Sequence, residues 1–219
     1  MKIGLYGGGD FSDNVEIDEH ILELCNSDSP SITYIPAGSY ESELEFIDLI
    51  MAYKKIGFKR FIHFPVDHEF DRTLKEEALQ SDVIHLGGGN TFYFLKHLKE
   101  SGMFEELIDY VGRGGVLTGL SAGAIITTPN ILTASFPPWD RDDNEDNVTD
   151  FEAMNIVDFE FFPHYRKSKR YDDELKRHSI LSLYPIYACP DGSGLVVTDE
   201  EIVVHGECYI FENGQKFKL

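Results

Sequence analysis

Basic residues are scarce in this chain. Lys and Arg together number 19 against 39 Asp and Glu, a formal charge of −20. So acidic a surface repels phosphate backbones and anionic lipid, so neither a nucleic-acid nor a membrane partner is expected. Cysteine is also sparse. Cys25, Cys189 and Cys208 are odd in number and widely spaced, with no C-x-x-C. That pattern predicts free thiols in a reducing compartment, without a disulfide framework or a zinc ribbon. No apolar h-region precedes Asp10, so no secretory leader is expected and a cytoplasmic location is. No metal motif is complete. H-E-x-x-H is missing, and Asp140-x-Asp142-x-Asn144 fails as a calcium loop because Glu145 and Phe151 occupy its sixth and twelfth positions. Charge vanishes altogether between Gly114 and Trp139, but Gly115, Gly119, Gly123, Pro129 and Pro137 interrupt that stretch too often for a spanning helix.

What is present is a recurring unit: a short apolar run, a Gly or Pro turn, then a helical stretch. Strands are predicted at Lys2–Tyr6, Ser31–Ile35, Phe58–Phe64, Asp82–Leu86 and Val116–Leu120. Helices are predicted at Val15–Cys25, Glu41–Ile56, Arg72–Gln80, Thr91–Lys99 and Met103–Val111, with Leu44, Ile47, Ile50 and Met51 on one face of the second. Such alternation implies βαβ units and a mostly parallel sheet. Beyond Pro129 the rhythm changes. An acidic loop (Asp140–Asp146), a strand (Phe159–Phe162) and a helix (Tyr171–Leu183) precede short strands at Ile186–Cys189, Leu195–Thr198, Glu201–His205 and Cys208–Phe211. This end reads as a β-rich part joining or flanking the main sheet. With 219 residues and no internal linker, residues 1–219 are read as one domain.

The strongest chemical signal is Gly119-Leu120-Ser121-Ala122-Gly123, a G-x-S-x-G pattern with a strand before and a helix start after. Two glycines permit a sharp strand-to-helix turn that lifts the Ser121 hydroxyl above the carboxyl edge of the sheet. The N–H of Ala122 then lies at a helix N-terminus, suited to an oxyanion. The bland alternative is a small-residue turn that only packs a helix. Gly87-Gly88-Gly89-Asn90-Thr91 makes a second strand-to-helix turn, placed to give the other oxyanion donor; it is neither a P-loop nor G-x-G-x-x-G. Gly7-Gly8-Gly9-Asp10 is a third, read as sheet-edge geometry or a wall of the same crevice.

A serine nucleophile needs a base. Of eight histidines, His164 is the best placed, just past the strand Phe159–Phe162 and Pro163. The orienting carboxylate has two candidates. Asp191 follows a strand end in Cys189-Pro190-Asp191-Gly192, and Asp140 opens the acidic loop. A strand end fixes a side chain better than a loop, which favours Asp191.

Taken together, Gly87–Thr91, Gly119–Ala124 and Phe162-Pro163-His164-Tyr165 resemble, in order and spacing, the dipeptidase E and cyanophycinase family of serine peptidases, over nearly the whole chain. The resemblance implies a class I glutamine amidotransferase-like fold, a three-layer α/β/α sandwich around a mostly parallel flavodoxin-like sheet. It implies Ser121 as nucleophile, His164 as base, and Gly88 or Gly89 with Ala122 as oxyanion donors. Asn90, beside those glycines, is placed with the substrate-binding residues. In the cyanophycinase branch the triad acid follows the histidine, and Asp191 falls in the matching turn as Asp where that branch has Glu. In the dipeptidase E branch an Asp between Ser and His takes the role. Here the stretch near Ser135-Phe136-Pro137 holds no carboxylate until Asp140. Dipeptidase E-type members act on peptides with an N-terminal Asp, which needs a cation. Arg170, in the basic cluster Arg166–Arg170, matches the family's Arg.

The expected activity is therefore hydrolysis of short peptides after an N-terminal Asp, with no metal or organic cofactor. A cyanophycinase-like or other branched-peptide hydrolase is the alternative, and the acidic loop Asp140–Asp146 would then serve as a pocket for Arg. An α/β-hydrolase esterase ordered Ser121, Asp140, His164 and a non-catalytic amidotransferase-like binding module are rival readings, with a flavodoxin-like nucleotide binder more distant. The expected partner is a small peptide substrate, and a homodimer is compatible with the sequence.

Overall fold

The computed structural model describes residues 1–219. Its core is a seven-stranded sheet in the order β3-β2-β4-β5-β1-β8-β9. The strands are β1 (Lys2–Tyr6), β2 (Ser31–Ile35), β3 (Arg60–His63), β4 (Val83–Leu86), β5 (Val116–Leu120), β8 (Gly194–Thr198) and β9 (Ile202–His205). The first five are parallel; β8 runs antiparallel to β1, and β9 to β8. Strand β2 is buried at every position, as a central strand covered on both faces must be.

Helices α1 (Val15–Leu24) and α2 (Ser42–Ile56) cover one face, burying Ile17, Ile21, Leu49 and Tyr53 against Tyr6, Ile32, Tyr34 and Val83. Helices α3 (Arg72–Ala78), α4 (Thr91–Glu100), α5 (Met103–Gly112) and α6 (Ala122–Ile126) cover the other, where Phe94, Leu95, Leu107 and Ile125 pack on Ile3, Leu5, Ile84 and Leu117. The predicted three-layer α/β/α arrangement is therefore the one adopted. The charge-free stretch from Gly114 to Trp139 resolves into β5, a turn, α6 and a 3-10 turn at Leu132–Ser135. No helix is long and apolar enough to cross a membrane.

The C-terminal strands divide. While β8 and β9 extend the main sheet, β6 (Glu160–Phe162), β7 (Ile186–Ala188), β10 (Tyr209–Glu212) and β11 (Gln215–Lys218) form a second sheet, order β11-β10-β7-β6. Helix α7 (Lys169–Leu181) packs on it through Tyr171 and Leu175. Strand β11 is not among the strands that the sequence pattern predicts.

Two expectations are corrected here. First, the apolar stripe of α2 is not its buried face: Leu44, Ile47 and Met51 are exposed, while Leu49 and Tyr53 turn inward. Second, Cys189 and Cys208 are not free thiols. They form a disulfide with Cα atoms 4.6 Å apart. The register that sets Tyr209 opposite Ala188 on β10 and β7 continues to them, so they face one another as a direct cross-strand pair. Cys25 alone is free, and a low cysteine count does not by itself argue for reduced thiols here.

Candidate active site

Strand β5 delivers Ser121 into a tight elbow. Its backbone, at φ 52° and ψ −108°, lies where a side-chain-bearing residue is strained. The flanking glycines are required by contact. A Cβ at Gly119 would lie 2.3 Å from the Gly123 carbonyl carbon, and one at Gly123 2.4 Å from the Leu86 oxygen. No other residue permits helix α6 to leave the sheet so closely.

His164 follows β6, and its N–H donates to the Gly7 carbonyl at 2.6 Å. Its Nε2 lies 2.8 Å from Ser121 Oγ, and its Nδ1 lies 2.7 Å from Asp191 Oδ1. The three residues predicted from strand ends thus form one hydrogen-bonded chain. Asp140 does not join it; its carboxylate accepts the Tyr171 hydroxyl at 2.5 Å. The order Ser121, Asp140, His164 that an esterase required is therefore not realised.

Two positions of the glycine turn lie beside the nucleophile. A Cβ on Gly88 would sit 3.7 Å from that of Ser121, so its backbone borders the nucleophile. Gly89, at φ 140°, lines the same cleft. The N–H groups of Gly88 and Gly89 donate to no protein acceptor. Ala122 opens α6, where a first-turn N–H lacks an intrahelical partner. Asn90 is a correction. Its Oδ1 accepts from Tyr93 N at 3.0 Å to cap α4, and its Nδ2 donates to the Asp143 carbonyl at 2.8 Å. The chain itself occupies both ends of that amide, and Asn90 does not line the cleft.

The cleft encloses about 480 Å³ between Ser121, His164, Gly89, Ile125, Phe136, Trp139 and Phe162. Arg170 borders it indirectly, its guanidinium 3.4 Å above the Trp139 ring. Sequence reasoning missed two further lining residues. Arg141 forms no ion pair. Thr133 is buried with its hydroxyl unpartnered. Arg141 is hidden among the acids of 140–146, and nothing in sequence marks Thr133. The acidic loop itself is not a free anionic pocket: Asp142 accepts the Thr91 N–H at 2.7 Å and Asp146 pairs with Lys96 at 2.6 Å.

The glycine turn at the end of β1 is more than sheet-edge geometry. A Cβ on Gly8 would fall 2.1 Å from Asp191 Oδ1 and 2.4 Å from His164 Nδ1. The Gly8 carbonyl accepts the Gly192 N–H at 3.1 Å. The turn therefore seats the loops carrying both His164 and Asp191.

A serine on a strand-to-helix elbow, bonded to a histidine that is bonded to a carboxylate, is the arrangement of a serine-type hydrolase. The chain belongs to peptidase family S51, whose family model matches residues 3–205. It is 29% identical over 182 residues to an uncharacterized peptidase of Listeria innocua, covering 81% of this chain and 85% of that one. It is 28% identical over 149 residues to peptidase E of Escherichia coli, covering 62% and 61%. A Listeria monocytogenes crystal structure, provisionally assigned as a peptidase E, superposes with a TM-score of 0.71 at 25% identity, covering 93% of this chain and 97% of that one. A peptidase from an acI-B1 actinobacterium shares the fold at a TM-score of 0.75 and 18% identity, covering 100% and 93%.

Proposed function

We propose that this peptidase hydrolyses short peptides after an N-terminal Asp through an acyl-enzyme on Ser121. The observation that carries the reading is the hydrogen-bonded chain from Ser121 through His164 to Asp191. With neutral His164 accepting at Nε2, its Nδ1–H donates to Asp191, which fixes the tautomer a general base needs. Ser121 Oγ attacks the scissile carbonyl as His164 takes its proton. The N–H groups of Ala122 and of Gly88 or Gly89 hold the oxyanion. His164 then protonates the leaving amine, and water, deprotonated by His164, releases the acid product. No step calls on a metal or an organic cofactor.

Specificity for Asp rests on the cations around the cleft. Arg141 lines it without a carboxylate partner, and Arg170 lies over the Trp139 ring at 3.4 Å. A guanidinium suits a carboxylate because it can donate two parallel hydrogen bonds. The test is hydrolysis of Asp-Leu against Leu-Leu and Ala-Leu, by wild type and Ser121→Ala. Cleavage of Asp-Leu alone is expected, falling more than about a thousandfold in the variant. Equal cleavage of all three would remove the Asp specificity, and activity persisting in Ser121→Ala would remove the mechanism.

A further inference from the structure

A second cavity opens beside the nucleophile, on the α1/α2 face of the sheet rather than the α4/α6 face. It encloses about 250 Å³. That is below the ~300–1,000 Å³ of a site for a whole small molecule, and suits one long side chain. Its floor is aromatic, with Tyr6, Tyr34, Tyr53 and His85. Of its carboxylates, Asp18 accepts the Tyr6 and Tyr53 hydroxyls through Oδ1, and Glu45 accepts the Tyr34 hydroxyl through one oxygen, while Asp10 and Asp48 have no side-chain partner. No Lys or Arg lines it.

Acidic surface is common in a chain of charge −20, so the carboxylates alone decide nothing. Two buried polar groups do more. Asn14 is 4% exposed and lines this cavity. Its Nδ2 donates to the carbonyls of Gly8 and Asp10, at 3.2 and 3.1 Å, which fixes Oδ1 as an acceptor, and that acceptor has no donor. His85 is 2% exposed and also lines the cavity. The Thr118 hydroxyl donates to the Ile84 carbonyl at 3.4 Å, so its oxygen, 2.8 Å from His85 Nδ1, accepts from Nδ1–H; Nε2 is then an acceptor, and it has no partner. Buried polar atoms left unpaired are destabilising, so a cavity that keeps them is suited to a ligand that completes them. With acceptors unsatisfied and carboxylates around them, that ligand is a multiple N–H donor of positive charge. The tyrosine rings suit its stem and its cation.

The position ties the cavity to catalysis. Leu120, the residue before Ser121, lines it, and so does Gly88, whose backbone borders the nucleophile. We propose that this cavity is the subsite for an Arg or Lys side chain on the residue that leaves, so that the favoured bond is Asp–Arg or Asp–Lys. The inference rests on the peptidase reading above. It assigns opposite charges to the two sides of the scissile bond: the acidic residue to the cleft lined by Arg141, the basic one to the cavity lined by Asp10, Asp18, Glu45 and Asp48.

Asp-Arg and Asp-citrulline are near-isosteric and differ in charge, which makes them the discriminating pair. In wild type, kcat/KM for Asp-Arg should exceed that for Asp-citrulline at least tenfold. In Glu45→Gln/Asp48→Asn the ratio should fall to within threefold. Both residues are exposed at the rim, and a thermal midpoint within a few degrees of wild type shows that the variant is folded. Equal rates on the two peptides in wild type overturn the inference. Binding of argininamide and citrullinamide to full-length Ser121→Ala by calorimetry separates this subsite from the peptidase reading. Saturable binding of argininamide alone, lost in the double variant, supports the cation site even if no dipeptide is cleaved, an outcome that defeats the peptidase specificity. Cleavage of Asp-citrulline as fast as Asp-Arg, with no argininamide binding, defeats the cation site and leaves the peptidase standing.

Discussion

Gly8 carries no functional atom, yet two of the three residues bonded at the site depend on it. Its φ of 133° disfavours any side chain, and the space a Cβ would need is filled by Asp191 Oδ1 and His164 Nδ1. Gly8→Ala should therefore push the imidazole and the carboxylate apart. A displacement near 1 Å at a reacting group can cost about 10²-fold in rate. We expect kcat on the best peptide substrate to fall by at least that factor. Gly112→Ala is the control: nothing lies within 4 Å of its added methyl, and its rate should match wild type. Equal rates for the two variants would show that the Gly8 turn does not hold the pair. Ser121 and His164 were legible because a strand, an elbow and a strand end each leave local marks. Asp191 was legible only as one of two candidates, since choosing it required knowing which loop ends beside His164. Gly8 was not legible, because a glycine turn announces freedom of the backbone and not what the backbone approaches.

At the scale of elements, the alternating strands and helices of residues 1–120 were readable because strands covered on both faces leave short continuous apolar runs and helices leave spaced apolar residues between them. The orientation of a helix about its own axis was not. The α2 stripe of Leu44, Ile47 and Met51 gave a clean spacing, but the inward face is set by Tyr53, whose hydroxyl donates to Asp18 Oδ1 on α1 at 2.7 Å. That contact is tertiary and leaves no periodic trace. Strand β11 escaped because Gln215-Lys216-Phe217-Lys218 is short and polar, and it is a strand only by pairing with β10. The disulfide escaped for the same reason: a separation of 19 residues says nothing until β7 and β10 align. Because it joins those strands two residues before Asp191, its loss should loosen the second sheet. Closing a loop of about this length contributes roughly 2–4 kcal/mol. Cys208→Ala should lower unfolding stability in urea by about that amount. Before reduction, the denatured wild type should titrate one thiol and afterwards three; three before reduction would show that the bond does not form.

Across the whole molecule, two buried groups oppose each other in their effect on stability. Burial raises the Asp18 carboxyl from 3.8 to about 6, although the Tyr53 and Tyr6 hydroxyls pull it the other way. Burial lowers His85 from 6.5 to about 4. Between pH 3.8 and 6 the native chain keeps a proton on Asp18 that the unfolded chain has released, so this group makes stability fall as pH rises. Between pH 4 and 6.5 the unfolded chain holds a proton on His85 that the native chain refuses. That group makes stability rise with pH; its contribution is full above 6.5 and lost as pH falls to 4. A tenfold difference in proton affinity between the native and unfolded chains corresponds to about 1.4 kcal/mol, so each effect is roughly 3 kcal/mol, and over their shared window they largely cancel. Asp18→Asn keeps an oxygen for the two tyrosines and removes only the first effect. Relative to wild type, its unfolding free energy should therefore increase by about 3 kcal/mol between pH 4 and 7. His85→Gln should show the opposite trend, losing about as much relative to wild type over the same range. Urea titrations of the three proteins at pH 4, 5, 6 and 7 measure both differences, in which the other carboxylates drop out. Differences that stay flat with pH would show that neither group is held in the state its burial demands, and parallel slopes would show that the two do not act in opposition.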